Sequence, residues 1–280
     1  MENSNSYIFL DAKLEIMKRG IKTLLKAQTD MTIKSLLFTP WLILLVALPA
    51  LSSEQPDNQY NMGIIGFAPY AMTNDDGSYH GYMFEISEEI RKATDLPGVD
   101  EVLPLKRLHS YLETGLIDCT ILARVPLTEN IYDFLAPIGK QIKSVIVSRA
   151  DTPLSSYEDL KDLIIGVPTG VTLDKKFDDD ASLIKFATNG YMQSTKMLQH
   201  GRIDAMIGVW DSYLFNMREL KMFRDEIAAP LIFNEAPIWL MCRRGFKNTV
   251  AKNRLIKVVN RLRDQGVIQN IIAKYIGEFQ

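Results

Sequence analysis

Apolar residues follow two spacings along this chain. Short unbroken runs occur at Asn61 to Phe67, Glu101 to Leu105, Asp118 to Ala123, Ile164 to Val167, Leu183 to Ala187 and Ile203 to Val209. Runs of that length suit strands buried on both faces. Between them the period changes. Met83, Ile86, Ile90 and Ala93 recur at helical spacing, with Glu85, Glu88, Glu89, Arg91 and Lys92 opposite, which predicts an amphipathic helix with a solvated charged face. Helices are also predicted over Arg107 to Thr114, stopped at Gly115, and over Tyr191 to Gln199, ended near Gly201. Asp76-Gly77 predicts a tight hairpin before Tyr79 to Tyr82. Strand and helix alternate throughout, so the fold class is α/β with mostly parallel sheet.

The pattern occurs twice. Ile64-Ile65-Gly66-Phe67-Ala68-Pro69 recurs as Ile164-Ile165-Gly166-Val167-Pro168-Thr169. Leu112 to Ile121, with Gly115 and Asp118, recurs as Leu198 to Ile207, with Gly201 and Asp204. Both matches fall in the same order, which predicts two similar lobes. The seam from Ser144 to Thr172 joins them: Lys143 to Arg149 reads as an extended crossing, and Ser155-Ser156-Tyr157-Glu158 as a capping box opening a short helix. Pro230 to Phe233 and Ile238 to Cys242 read as the return crossing. Two helices follow, one with Val250, Leu255, Val258, Val259 and Leu262 on its apolar side, the other from Ile268 to Tyr275. Two crossings make a two-strand hinge between lobes that open and close. The expected boundaries are residues 53–146 with 234–280 for lobe 1, and 147–233 for lobe 2.

The start of the chain has another character. Lys34, an apolar run from Leu36 to Leu51 and the small residues after it have the order of a secretory signal, assigned to residues 31–52. The alternative is an uncleaved membrane anchor, which Pro40 and Pro49 interrupt. Residues 1–30 are an N-terminal extension, and Met31 is the more ordinary start. Export to the periplasm is the expected localisation.

Composition narrows the function. The chain has 280 residues, 47% of them hydrophobic, and a net charge of −2, so no basic field points to nucleic acid. Two cysteines, Cys119 and Cys242, exclude a disulfide-dense scaffold and form no CxxC pair. The histidines, His80, His109 and His200, form no HExxH arrangement, so neither a metal nor a cofactor is expected.

In parallel α/β sheets, ligands meet the loops at the carboxyl ends of the strands. Those loops carry Phe67, Tyr70, Leu105 and Arg124 in the first repeat. Phe67 and Tyr70 suit either core packing or a cleft wall, and Arg124 either a rim ion pair or an anion clamp. In the second repeat, Thr169-Gly170-Val171-Thr172 reads as a strand-to-helix turn whose N–H and hydroxyl groups would hold an anion. Trp210 and Asp211 follow the last strand, where they either face a cationic ligand or start a helix.

At this point residues 60–277 resemble the family 3 extracellular solute-binding proteins. The pieces that carry the resemblance are FAPY, DGSYHGYMFEI, KRLHSYLETGLIDCTI, SSYEDLKDLIIGVPTG, GRIDAMIG and RLRDQGVIQNIIAKYIG, in this order. The resemblance implies the type II periplasmic binding protein fold, with two doubly wound lobes and the first built from both ends of the chain. It also implies that the strands near Cys119 and Cys242 are neighbours, which permits a disulfide. Phe67 matches the family's stacking aromatic, Leu105 its second apolar wall and Thr172 a hydroxyl on the ligand carboxylate. Three charged positions depart from the pattern, where Ile64, Asn130 and Val209 stand. Arg124 and Asp211 are nearby charges that could substitute.

The function this implies is capture of a small polar or anionic, amino-acid-like solute between the lobes and delivery to a membrane transporter. An ABC permease or a membrane sensor is the expected partner, and the chain itself a monomer. The alternatives are a ligand-sensing partner of a membrane receptor, or a dehydratase-like enzyme on the same scaffold. Catalysis would fall to Glu129 or Asp211, since no GxSxG or Cys/His pair is present.

Overall fold

The computed structural model describes residues 58–277 apart from Gly170, Thr172 and Leu173. The expected extension (1–30), the signal (31–52) and the candidate ligand residue Thr172 lie outside the described residues.

In chain order the elements are β1 (Met62–Ile65), β2 (Met72–Thr73), β3 (Tyr79–His80), α1 (Tyr82–Thr94), β4 (Asp100–Leu103), α2 (Leu105–Thr114), β5 (Cys119–Ala123), α3 (Pro126–Glu129) and β6 (Tyr132–Ser148). Then come β7 (Ile164–Pro168), α4 (Lys175–Asp179), β8 (Ile184–Thr188), α5 (Tyr191–Gln199), β9 (Ala205–Val209), α6 (Trp210–Glu219), β10 (Leu231–Arg243), α7 (Thr249–Asp264) and α8 (Val267–Ile276). β2 and β3 form the hairpin expected around Asp76-Gly77. Tyr82 belongs to α1 rather than to that hairpin.

The two repeats do not form separate sheets. The structure instead has a single eight-stranded sheet, in the order β4-β1-β5-β10-β6-β9-β7-β8. Both β-α-β units are parallel within themselves, β1 with β4 and β5, β7 with β8 and β9. What fuses them is the length of β6 and β10, at 17 and 13 residues. These strands pair antiparallel from Leu231↔Ile146 to Arg243↔Tyr132. β10 then pairs with β5, and β6 with β9. The return crossing is thus one strand, where the sequence suggested two pieces, Pro230 to Phe233 and Ile238 to Cys242. A register shift between Pro237 and Trp239 carries the ladder past a residue that has no N–H.

Packing follows from the continuous apolar runs. On β6, Val145 and Val147 join Met206, Tyr213 and Met217 in one cluster, while Ile146 joins Leu160, Ile165, Phe177 and Ile207 in another. Alternate residues of one strand therefore reach opposite faces, and both faces are covered. A larger cluster packs Met62, Ile86, Leu108, Leu240 and Val259 around the other end of the sheet. The short helix of the seam forms one residue later than its sequence signature. Asp159, not Glu158, reaches back to the backbone N–H groups of Ser155 and Ser156, at 2.7 and 2.9 Å, because Ser156 rather than Ser155 is the cap.

Cys119 and Cys242 are register partners on β5 and β10 and form a disulfide across 123 positions of sequence. Among the described residues, no helix is long and apolar enough to cross a membrane.

Candidate functional site

β1 ends at Ile65 and β8 at Thr188, and aromatic residues just beyond each come face to face. Phe67 stands parallel to Tyr191, with ring centroids 6.1 Å apart and 5° between planes. Phe67 also meets Tyr70 edge-on at 4.6 Å, Tyr70 meets Tyr82 at 5.0 Å, and Tyr191 meets Tyr213 at 5.0 Å. Five aromatic rings thus run unbroken from the first β-α-β unit to the second. Tyr191 packs against the core clusters of both. Burial raises the phenol of Tyr191 to about 12, so the ring is neutral at any physiological pH.

Beside the rings lies a buried polar knot. Asp211, in the first turn of α6, is 1% exposed. Its Oδ1 accepts from Lys140 Nζ at 2.9 Å and its Oδ2 from the Tyr82 hydroxyl at 2.9 Å. Ser212 Oγ donates to the carbonyl of Ala68 at 2.8 Å, tying the same helix to the loop after β1. Burial, and then the Asp211 charge, push the Tyr70 hydroxyl well above its ordinary range. That hydroxyl is buried, with no hydrogen-bond partner among the described residues. An unpartnered buried hydroxyl is costly.

The remaining expected residues lie around this centre. Arg124 follows β5, where its guanidinium pairs with Glu129 at 3.1 Å and lies over Phe134 and Trp239 at 4.8 and 5.1 Å. The rim ion pair is therefore formed, and it engages both Arg124 and the candidate acid Glu129. Leu105 opens α2 with its side chain 45% exposed. Thr169 sends its backbone N–H and its hydroxyl to one carbonyl, that of Thr188, both at 2.9 Å. Trp210 starts α6 but lines a separate hollow with Lys140, Leu214, Arg224 and residues of α8. At the departures from the family pattern, Ile64 and Val209 are buried and belong to the larger core cluster, whereas Asn130 is exposed at the end of α3.

Sequence reasoning missed Tyr82, Lys140 and Tyr191. Tyr191 sits at the first position of a helix that otherwise reads as ordinary. One signal was available: it follows β8 through Asn189-Gly190, at the carboxyl edge where the other site residues lie. Lys140 lay inside a strand whose start the sequence placed too late.

A mixed sheet with parallel β-α-β units on either side of two long antiparallel strands is the architecture of a type II periplasmic binding protein. Residues 61–278 match the profile of the bacterial extracellular solute-binding proteins, family 3. The chain belongs to that family. It is 24% identical over 238 residues to "Probable amino-acid-binding protein YxeM" of Bacillus subtilis (strain 168), covering 81% of this chain and 87% of that protein. In fold it is similar to an ancestral arginine-binding protein bound to arginine, with a TM-score of 0.62, 20% identity, and coverage of 79% of this chain and 99% of the other. It is similar as well to a histidine kinase sensor domain that resembles periplasmic binding proteins, with a TM-score of 0.61, 17% identity, and coverage of 79% and 97%.

Proposed function

We propose that this chain is an exported periplasmic receptor that closes on a small polar or anionic, amino-acid-like solute and presents it to a membrane permease. Family membership supports the class, and the amino-acid-binding relative supports the ligand type. The observation that carries the reading is the Phe67–Tyr191 pair. It joins residues 53–146 with 234–280, the first unit in this reading, to residues 147–233, the second, beside the long strands β6 and β10 that run between them. Two strands bend at modest cost, and a solute touching both units stabilises the closed form.

In this reading Phe67, Tyr70 and Tyr191 wall the ligand, with Leu105 at the rim. Tyr70 offers its free hydroxyl, and Thr169 closes the far side. Arg124 is the anion-binding group only if the ligand displaces Glu129. Asp211 is already bonded twice, so it shapes the cleft rather than gripping a ligand amine, and it is no free acid for catalysis. The two candidate acids, Asp211 and Glu129, are both engaged, which favours binding over turnover.

A thermal-shift screen of the purified protein against amino acids, small carboxylates and amines tests the proposal. A ligand at a hundred times its Kd stabilises by about 2.7 kcal/mol. Phe67→Ala is expected to weaken the responding ligand at least tenfold. If nothing in the screen raises Tm, the reading fails.

A further inference from the structure

A hollow lies beside Trp210. Its volume is about 550 Å³, within the usual range for small-molecule pockets. Trp210 and Leu214 are one turn apart on α6 and form one wall. The opposite wall is a single face of α8, since Gln269, Ile272, Ala273 and Ile276 recur at helical spacing. Gly139 and Lys140 of β6, together with Arg224, complete the lining. The lining thus holds two cations and no carboxylate. Lys140 gives one bond to Asp211 and retains further N–H donors. Arg224 donates Nη1 to the Ile227 carbonyl, which leaves most of its fork available.

The geometry points to a second binding site here, for an amphipathic monocarboxylate. The apolar body lies between Trp210, Leu214, Ile272 and Ile276, and the carboxylate meets Arg224 and Lys140. Charge and shape both argue for this class. A zwitterion would bring an ammonium to a pocket without an acid, and an inorganic anion would leave the Trp and Ile walls unused. The walls come from opposite sides of the β6–β10 crossing: Trp210 packs with the Tyr213 and Met217 cluster, and Ile272 belongs to the larger one. A bound carboxylate therefore touches residues packed in both clusters.

The site does not rest on the cleft reading, and the test keeps them apart. Octanoate is titrated into the purified protein by calorimetry, with octylamine and octanol as charge controls. Octanoate is expected to bind, and the two controls at least tenfold more weakly. Ala273 is exposed, so Ala273→Trp fills the hollow without disturbing the core and should abolish binding. Arg224→Ala should weaken it about tenfold, whereas Phe67→Ala should leave it within twofold. Absence of octanoate binding overturns the site, as does binding that octylamine equals or that both Ala273→Trp and Arg224→Ala leave unchanged. Loss through Phe67→Ala alone would move the carboxylate to the cleft and overturn the site equally.

Discussion

Tyr82 donates its phenolic hydrogen to Oδ2 of Asp211 at 2.9 Å, across 129 positions of sequence. The bond links the start of α1 to the start of α6, and Lys140 completes it from β6. Removing one member of a buried ion pair leaves the other uncompensated. Asp211→Ala is therefore expected to cost about 3–5 kcal/mol in urea unfolding. Tyr82→Phe, which leaves the carboxylate its lysine, should cost only about 1–2 kcal/mol. Pairing Asp211→Ala with Lys140→Met should recover part of the loss. Equal costs for the single and the double variant would show that the pair does not act as a unit.

The disulfide between Cys119 and Cys242 closes a long loop and locks the carboxyl-terminal strand β10 onto β5. Removing such a bridge typically costs 2–5 kcal/mol, mostly through a freer unfolded chain. Cys119→Ala with Cys242→Ala should lower the urea midpoint to match that of the wild type held in reductant. The reductant should then have no effect on the variant. A wild type whose urea midpoint reductant leaves unchanged would argue against this bridge.

How much of this was legible in advance differs between fold and site. The repeat around Ile64 and Ile164 announced two β-α-β units, because short apolar runs bounded by turn residues recur there in the same order. The fusion into one sheet was not legible. Asn234 to Pro237 reads as a break, and only a register-shifted partner, β6, makes it a strand. The site divides in the same way. Phe67 and Tyr70 were visible because they follow a strand end. Asp211 was visible as a charge, but its neutralisation by Lys140 depends on a pairing 71 residues apart that no local pattern encodes. Tyr191 was hidden by its place in an ordinary helix, where one aromatic is as easily core as cleft.

Stability should fall in mild acid through His109. Its ring is half-buried, and Nδ1 lies 2.7 Å from the Tyr132 hydroxyl. Burial lowers its pKa below the ordinary value of about 6.5, against a smaller opposing pull from Glu113. The unfolded chain therefore binds the proton first as pH drops. The stability that this neutral histidine contributes is present above pH ~6.5 and is lost as pH falls through the folded pKa, below which its effect is constant. Urea midpoints at pH 7.5 and 5.5 should differ for the wild type, and the difference should shrink in His109→Phe. An unchanged difference would assign the acid sensitivity to other groups.

Gly208 controls how close the aromatic wall comes to the sheet. A Cβ there would stand 2.5 Å from Cε1 of Tyr191 and 2.7 Å from Cε2 of Tyr213. Tyr213 cannot yield readily, since it is fully buried and its hydroxyl donates to the Ile207 carbonyl at 2.7 Å. Tyr191 must then move, and with it the ring facing Phe67. Gly208→Ala is expected to cost about 1–3 kcal/mol by overpacking. It should also weaken whichever solute the thermal-shift screen identifies. Because the strain falls on one identified ring, the cost should drop by about 1 kcal/mol in a Tyr191→Ala background, a non-additivity that a double-mutant cycle measures. Strict additivity would mean that the strain falls on Tyr213 instead, and that the Phe67–Tyr191 spacing is set elsewhere.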